Sequence, residues 1–243
     1  QSIYVIDVRQ SLHMKQIRKV LELMGYPWAE RIYHLAYEIV NLPGNVTMSS
    51  REGTVVLLDD LIREATNRAL EIVREKNPEL DPQEMQTIAE AVALGSIKYP
   101  MLARENTKMV TFDWESALDF NGQSAPYIQY AHVRANSILR KAGLEQPEVP
   151  QFNYDLQTSE INLIELLARL PDEIQRAAKE LKPSLVANFA YDLAKAFNDF
   201  YNQCPVLNAD PAIRAARLAL VAAARTCLAK VLTLMGIRAP EVM

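Results

Sequence analysis

The run I-Y-V-I-D-V from Ile3 constrains this chain more than any other stretch. It is almost continuously apolar over the length of a strand. That is the pattern of a strand buried on both faces of a parallel sheet. Such a strand needs neighbours on both sides. Coming directly after Gln1 and Ser2, it predicts that the first half of a doubly wound domain lies outside this chain. Residues 11–25 predict a helix, with an apolar stripe of Leu12, Ile17, Val20, Leu21 and Met24 and a stop at Gly25. Gly25-Tyr26-Pro27 turns the chain, and residues 31–40, R-I-Y-H-L-A-Y-E-I-V, predict the next strand. N-L-P-G-N is a loop signal. After it, residues 46–60 run from a polar loop into an apolar stretch and then into Asp59-Asp60. Together these form a β-α-β unit, the back half of a nucleotide-binding fold.

From Asp59 onward the pattern is almost entirely helical. Residues 59–76 have helical apolar spacing, and the acids Asp59 and Asp60 match the charge of the helix N-terminus. Asp81-Pro82-Gln83-Glu84 is a cap, a first-turn proline and a returning acid, opening a helix to about Tyr99. Residues 104–115 are a connector with a short extended part. Ser124-Ala125-Pro126 opens a helix through about Lys141. Residues 143–157, with Pro147 and Pro150, form a linker-like segment. Further helices are predicted over 158–170, 171–181, 183–203 and 210–235. The fold class is therefore mainly α: a partial Rossmann-like β-α-β unit followed by an all-α helical bundle. The expected domains are 1–118 and 119–243.

Bulk composition narrows the function. Half of the 243 residues are apolar, enough for a core. There is no run of about eighteen uncharged apolar residues, so no membrane span is expected. Two cysteines are too few for a disulfide framework, and a cytoplasmic protein with two thiols is expected. His13, His34 and His132 lie far apart, and no Cys/His spacing suits a metal. The net charge of −4 argues against a protein that coats DNA or RNA by charge alone. It leaves open a shaped RNA site with local basic groups.

Three groups of residues carry chemistry. Gln10 and His13 follow the first strand, where ligands of open α/β sheets bind. A carboxamide oxygen can accept from a guanidinium, but a solvated turn residue fits Gln10 too, and a half-buried helix histidine fits His13. Met48, Ser49, Ser50, Arg51 and Gly53 offer hydroxyls, backbone N–H groups and a cation suited to phosphate oxygens; a polar turn is the alternative. Tyr127, Tyr130 and Arg134 share a helical face. Tyrosine and arginine planes stack on unpaired bases, although the same spacing also describes a face that is half core and half surface.

M-S-S-R-E-G-T-V-V from Met48 resembles the signature loop of class I aminoacyl-tRNA synthetases, in the form carried by arginyl-tRNA synthetases. Three further stretches resemble the same family in its order: Y-V-I-D-V-R-Q-S-L-H from Tyr4, F-D-W-E from Phe112 and A-P-Y-I-Q-Y-A-H-V-R from Ala125. N-F-A-Y-D-L-A-K-A-F-N-D-F-Y, then C-P-V-L, and the closing I-R-A-P-E-V-M extend the likeness over essentially the whole chain. The resemblance implies the C-terminal half of an arginine–tRNA ligase: the end of a catalytic domain followed by a helical anticodon-binding domain. It assigns Gln10 to the substrate arginine. It assigns His13, His34, Met48, Ser49, Ser50 and Arg51 to ATP or the adenylate, with Mg2+ accompanying ATP. It assigns Tyr127, Tyr130, Arg134, Tyr191 and Met243 to the anticodon of tRNA(Arg). Phe200 and Tyr201 are expected in the core. No metal site, membrane or DNA partner is implied. Two positions depart from the family: Thr47 stands where a lysine is usual, and Glu38 where a glycine is usual. These departures motivate a non-catalytic tRNA-binding paralogue as the alternative. A helical protein-interaction domain without an RNA role is a third reading.

Overall fold

A computed structural model of the protein describes residues 1–42, 46–47, 57–143 and 152–243. The chain divides into two compact units, one of residues 1–55 with 104–113 and one of residues 56–103 with 114–243.

In the first unit, β1 (Ser2–Asp7), α1 (Ser11–Leu23) and β2 (Ile32–Tyr37) form the predicted β-α-β motif. The strands are parallel, with Ser2 opposite Ile32 and Asp7 opposite Tyr37. The strand predicted over 31–40 is split. The backbone N–H of Glu38 donates to the carbonyl of Asn106 at 2.8 Å, which ends the first ladder. β3 (Val40–Leu42) then enters a second sheet, antiparallel to β4 (Val46–Thr47) and parallel to β5 (Val110–Thr111). β5 is the short extended part expected in the connector. The expectation that β1 is buried on both faces is not met. Among the described residues β1 pairs only with β2, and Val5 is 62% exposed. The predicted stripe of α1 is likewise uncovered at Leu12, Val20 and Met24, and Met14 is the buried residue of that helix. An apolar pattern states what an element is suited to pack against; burial needs the partner as well.

The second unit is helical: α2 (Leu58–Lys76), α3 (Pro82–Ala103), the short α4 (Trp114–Ala117), α5 (Ala125–Ala142), α6 (Thr158–Glu180), α7 (Pro183–Gln203) and α8 (Pro211–Leu234). The predicted starts hold. Asp81 Oδ1 accepts from the Gln83 N–H at 2.8 Å, and Ser124 Oγ accepts from the Tyr127 N–H at 3.2 Å. Two predicted ends do not hold. α3 continues through Pro100, and a single α6 replaces the helices expected on either side of Pro171. A proline inside a helix costs about 3 kcal/mol. Leu163, Leu170 and Ala177 are buried on both sides of Pro171, and a buried leucine alone contributes about 1.5–3 kcal/mol. Tertiary burial therefore outweighs the local break. At Pro100 the anchor is Tyr99, whose side chain is buried and whose hydroxyl donates to the Ala187 carbonyl at 3.2 Å.

The core lies where α5, α7 and α8 meet, with Ile128, Leu193, Phe197, Phe200, Leu228 and Leu232 fully enclosed. One buried ion pair crosses it. Arg217 Nε donates to Glu160 Oε1 at 2.9 Å, and Arg217 Nη1 donates to the Pro205 carbonyl at 2.8 Å. Glu160 also accepts from the Tyr154 hydroxyl at 2.7 Å and the Gln157 N–H at 2.8 Å. Burial pushes the Glu160 carboxyl upward, but the bonds from Arg217, Gln157 and Tyr154 outweigh it and hold the group below its usual range. The network ties the residues before α6 to α8. Breaking one partner of such a pair strands the other in the interior, at about 3–5 kcal/mol. Glu160→Gln is therefore expected to lower the unfolding free energy measured in urea by about 3–5 kcal/mol. Because the folded carboxyl is depressed, its contribution is present above the usual glutamate pKa and fades as pH falls below it. The variant should lack this part of the acid-side decline.

Candidate functional site

Two places gather the residues singled out by sequence. The first is the carboxyl end of β1. A 3-10 turn, Val8–Gln10, leads into α1, and Gln10 stands exposed at the N-cap position of that helix without a side-chain capping bond. His13 is exposed three residues on. His34, on β2, is half-buried, and its Nε2 lies 3.0 Å from the Ile6 carbonyl. A carbonyl only accepts, so Nε2 carries the proton. Asp7 is held by Arg9 in a fork: Nε at 2.9 Å from Oδ1 and Nη2 at 2.7 Å from Oδ2, with the Arg9 backbone N–H at 2.8 Å from Oδ1. These bonds lower the Asp7 carboxyl to about 2. The charge of Asp7 is thus engaged within its own turn, beside Gln10. Met48, Ser49, Ser50 and Arg51 lie outside the described residues.

The second place is in the helical unit. α5 and α7 run parallel along one edge, as their partnered pairs show. Gln123 Nε2 donates to Asn188 Oδ1 at 3.0 Å. The rings of Tyr127 and Tyr191 lie 5.4 Å apart. Arg134 Nη1 donates to Asn198 Oδ1 at 2.5 Å. The Arg134 guanidinium is also sandwiched between two rings, 4.9 Å from the centre of Tyr130 and 4.7 Å from that of Tyr201. Such cation–π contacts hold a planar cation while leaving its remaining N–H groups in the groove.

Beside this sandwich is a cavity of about 440 Å³, within the size range of small-ligand sites. Tyr130, Arg134 and Met243 line it, facing Lys76, Asn77 and Phe120. Lys76 Nζ sits 5.4 Å over the Phe120 ring. Among the described residues, the lining carries two cations and two aromatic faces, and no acidic side chain. The structure brings Tyr130, Arg134 and Met243 to the wall of one cavity. Tyr127 and Tyr191 form a separate, half-buried pair further along the same edge. Tyr201, expected in the core, is 42% exposed and serves as the second plate on Arg134; Phe200 is buried as expected. Helical spacing carried a signal for Tyr201. Phe197 and Phe200 mark the buried stripe of α7, and the residue after Phe200 turns about 100° away from it. Lys76, Asn77 and Phe120 come from α2 and a loop, and no spacing in the chain pointed to them.

Met243 reaches the cavity through residues 236–243, which leave α8 at a Gly236 turn. The Gly236 N–H donates to the Thr233 carbonyl and the Ile237 N–H to the Leu232 carbonyl, each at 2.9 Å. Gly236 has φ +65°. This is the left-handed helix stop that glycine alone adopts without steric cost, with Ile237 buried beyond it. His132 Nδ1 lies 3.0 Å from the Pro240 carbonyl and so holds the proton on that nitrogen.

Residues 1–114 match the family model described as tRNA synthetases class I (R), catalytic domain, and residues 128–243 match that of the DALR anticodon binding domain. The arginine–tRNA ligase of Chloroflexus aurantiacus is 39% identical over 99% of this chain, which covers 42% of that protein. The arginine–tRNA ligase of Pyrococcus furiosus is 44% identical over 99% of the chain, covering 40% of that protein. The structure of Thermus thermophilus arginyl-tRNA synthetase superposes with a TM-score of 0.91 at 41% identity, over 100% of this chain and 41% of that one. The chain spans about two fifths of the length of these relatives.

Burial lowers the His132 pKa below its usual value, against the pull of the Pro240 carbonyl and Glu241. The unfolded chain therefore takes up the proton more readily than the folded one. The resulting stability is complete above the usual histidine pKa and is lost as pH falls below it. Urea midpoints between pH 7.5 and pH 5.5 should show this decline. His132→Asn, which cannot be protonated there, should flatten it.

Proposed function

The chain belongs to the arginyl-tRNA synthetase family, and from that premise we propose that it is part of an arginine–tRNA ligase whose helical unit reads the anticodon of tRNA(Arg). In the reaction of the whole protein, the carboxylate of arginine attacks the α-phosphate of ATP, giving arginyl-adenylate and pyrophosphate. A hydroxyl of the 3′-terminal ribose of the tRNA then attacks the arginyl carbonyl, and AMP leaves. Mg2+ enters with the ATP phosphates as part of the substrate. Gln10 contacts the arginine side chain. His13, His34 and the loop Met48, Ser49, Ser50 and Arg51 lie at ATP or the adenylate. Functionally, residues 1–118 belong to the catalytic domain and residues 119–243 to the anticodon-binding domain. The protein is cytoplasmic. Supporting this, both cysteines are free thiols, and among the described residues no helix is long and apolar enough to cross a membrane.

The observation that carries the anticodon reading is the Arg134 sandwich beside a cavity with two cations and no acidic side chain. An unpaired base offers a flat face to stack and carbonyl and ring-nitrogen acceptors for the free N–H groups of a guanidinium. Tyr127 and Tyr191 extend the stacking surface along the same helix edge. A second reading, a tRNA-binding protein without catalysis, is favoured by Thr47 and by Glu38, whose N–H is taken by Asn106.

Stacking on an aromatic plate contributes about 1–3 kcal/mol per base. Arg134→Ala and Tyr201→Ala are each expected to weaken tRNA(Arg) binding by about tenfold, while Tyr201→Phe keeps it. Equilibrium binding with purified transcript reads this directly. Unchanged affinity in both alanine variants would contradict the anticodon assignment.

A further inference from the structure

We propose that Lys98, Gln129 and His132 are positioning residues: together they hold segment 236–243 in register along α5, so that Met243 closes one wall of the Arg134 cavity. The inference rests on the reading of that cavity as a tRNA site.

The three side chains address three carbonyls of the one segment that follows α8. Lys98 Nζ donates to Gly236 at 2.5 Å, Gln129 Nε2 to Arg238 at 2.8 Å and His132 Nδ1 to Pro240 at 3.0 Å. The acceptors fall at every second residue of the segment, 236, 238 and 240. Segment and helix advance together: Gln129 meets residue 238, His132 meets residue 240, and Tyr130 and Arg134 share the cavity with Met243. The side chains between Gln129 and Arg134 thus serve two purposes by turns, gripping the segment and forming the cavity it closes.

Gln129 fixes the register most tightly. It is fully buried, and its amide nitrogen also donates to the Ala91 carbonyl of α3 at 3.1 Å. With two carbonyls facing one nitrogen, only the N–H2 end of the amide can point at them. Glutamate in its place would turn an acceptor on both carbonyls. On its other side the segment borders open space, a largely apolar cavity of about 670 Å³ walled by Thr87, Ile88 and Ala91 of α3. Ile237 packs against Gly95 of α3 at the start of the segment, and the three donors hold its carbonyls beyond and beside that anchor. None of the three lines the Arg134 cavity. Lys98 is exposed and belongs to α3, so an effect of Lys98 on that cavity has to travel through the segment.

The test uses the chain labelled with 13C at its methionine methyl groups, eight in number, with Met243 assigned by Met243→Leu. In the wild type the Met243 methyl should resonate away from the position of a freely rotating methionine, because the cavity it lines is also lined by the Tyr130 and Phe120 rings. Lys98→Leu with His132→Leu should move it to the free position. His132→Asn, which keeps a donor near the place of Nδ1, should keep the wild-type position. Lys98→Leu alone alters only an exposed residue and guards against misfolding as the cause. In tRNA(Arg) binding, His132→Leu should cost about fivefold, the worth of one hydrogen bond. In a Met243→Ala background it should cost nothing further, since the two act as one. A methyl that does not move in the leucine variants, or losses that multiply, would overturn the proposal. A methyl that moves as described while Arg134→Ala leaves tRNA binding intact would uphold the strap and overturn the tRNA reading instead.

Discussion

At Gly95 three parts of the helical unit meet in the space a side chain would occupy. A Cβ there would stand 3.0 Å from the Ala125 Cβ, 3.2 Å from Ile237 Cγ2 and 3.3 Å from Gln129 Oε1. The first is the start of α5, the second the anchor of the segment after α8, and the third the amide that holds that segment. Close approach of α3 and α5 at this glycine therefore sets both the helix that carries Tyr130 and Arg134 and the segment that carries Met243. The cavity is a consequence of that approach, because its walls belong to elements whose positions are fixed there. In a core packed at crystal density, a methyl group at such a point requires its neighbours to give by a few tenths of an ångström.

The chemistry of the cavity follows from how a net negative chain makes a local cationic site. Lys76 and Arg134 are both set over aromatic rings. The ring faces attract the cations and orient them without neutralising them, unlike a carboxylate partner. Arg169 and Arg176, for comparison, are both paired with Glu173. A guanidinium held by rings keeps its charge and most of its donors for a ligand. Arg217 differs, because its donors are spent on Glu160 and Pro205 inside the core.

Much of this architecture is legible in the sequence, for local reasons. The caps at Asp81 and Ser124 and the β-α-β order are written in residues a few positions apart. What failed did so where distant partners decide. Pro100 and Pro171 read as breaks, but Tyr99 and Leu170 are buried strongly enough to carry their helices through. The run in β1 and the stripe of α1 read as buried, and their exposure reflects what they pack against, which spacing does not encode. The cavity was half legible. Tyr130 and Arg134 share a helical face, whereas Lys76 and Phe120 join them only through the tertiary fold. Tyr201 was misjudged because a tyrosine beside two buried phenylalanines reads as core until the helical angle is followed.

The claim on which the account turns is that the helical unit holds a preformed site for unpaired bases of one tRNA. The measurement that reaches it most directly is binding of this chain to a tRNA(Arg) transcript and to the same transcript with its anticodon exchanged, at two salt concentrations. A stacking and hydrogen-bonding site keeps its preference as salt rises, whereas phosphate contacts lose affinity steeply and without regard to sequence. A clear preference for the arginine anticodon that survives the higher salt is expected. Equal binding of the two transcripts, or binding that disappears with salt, would contradict it.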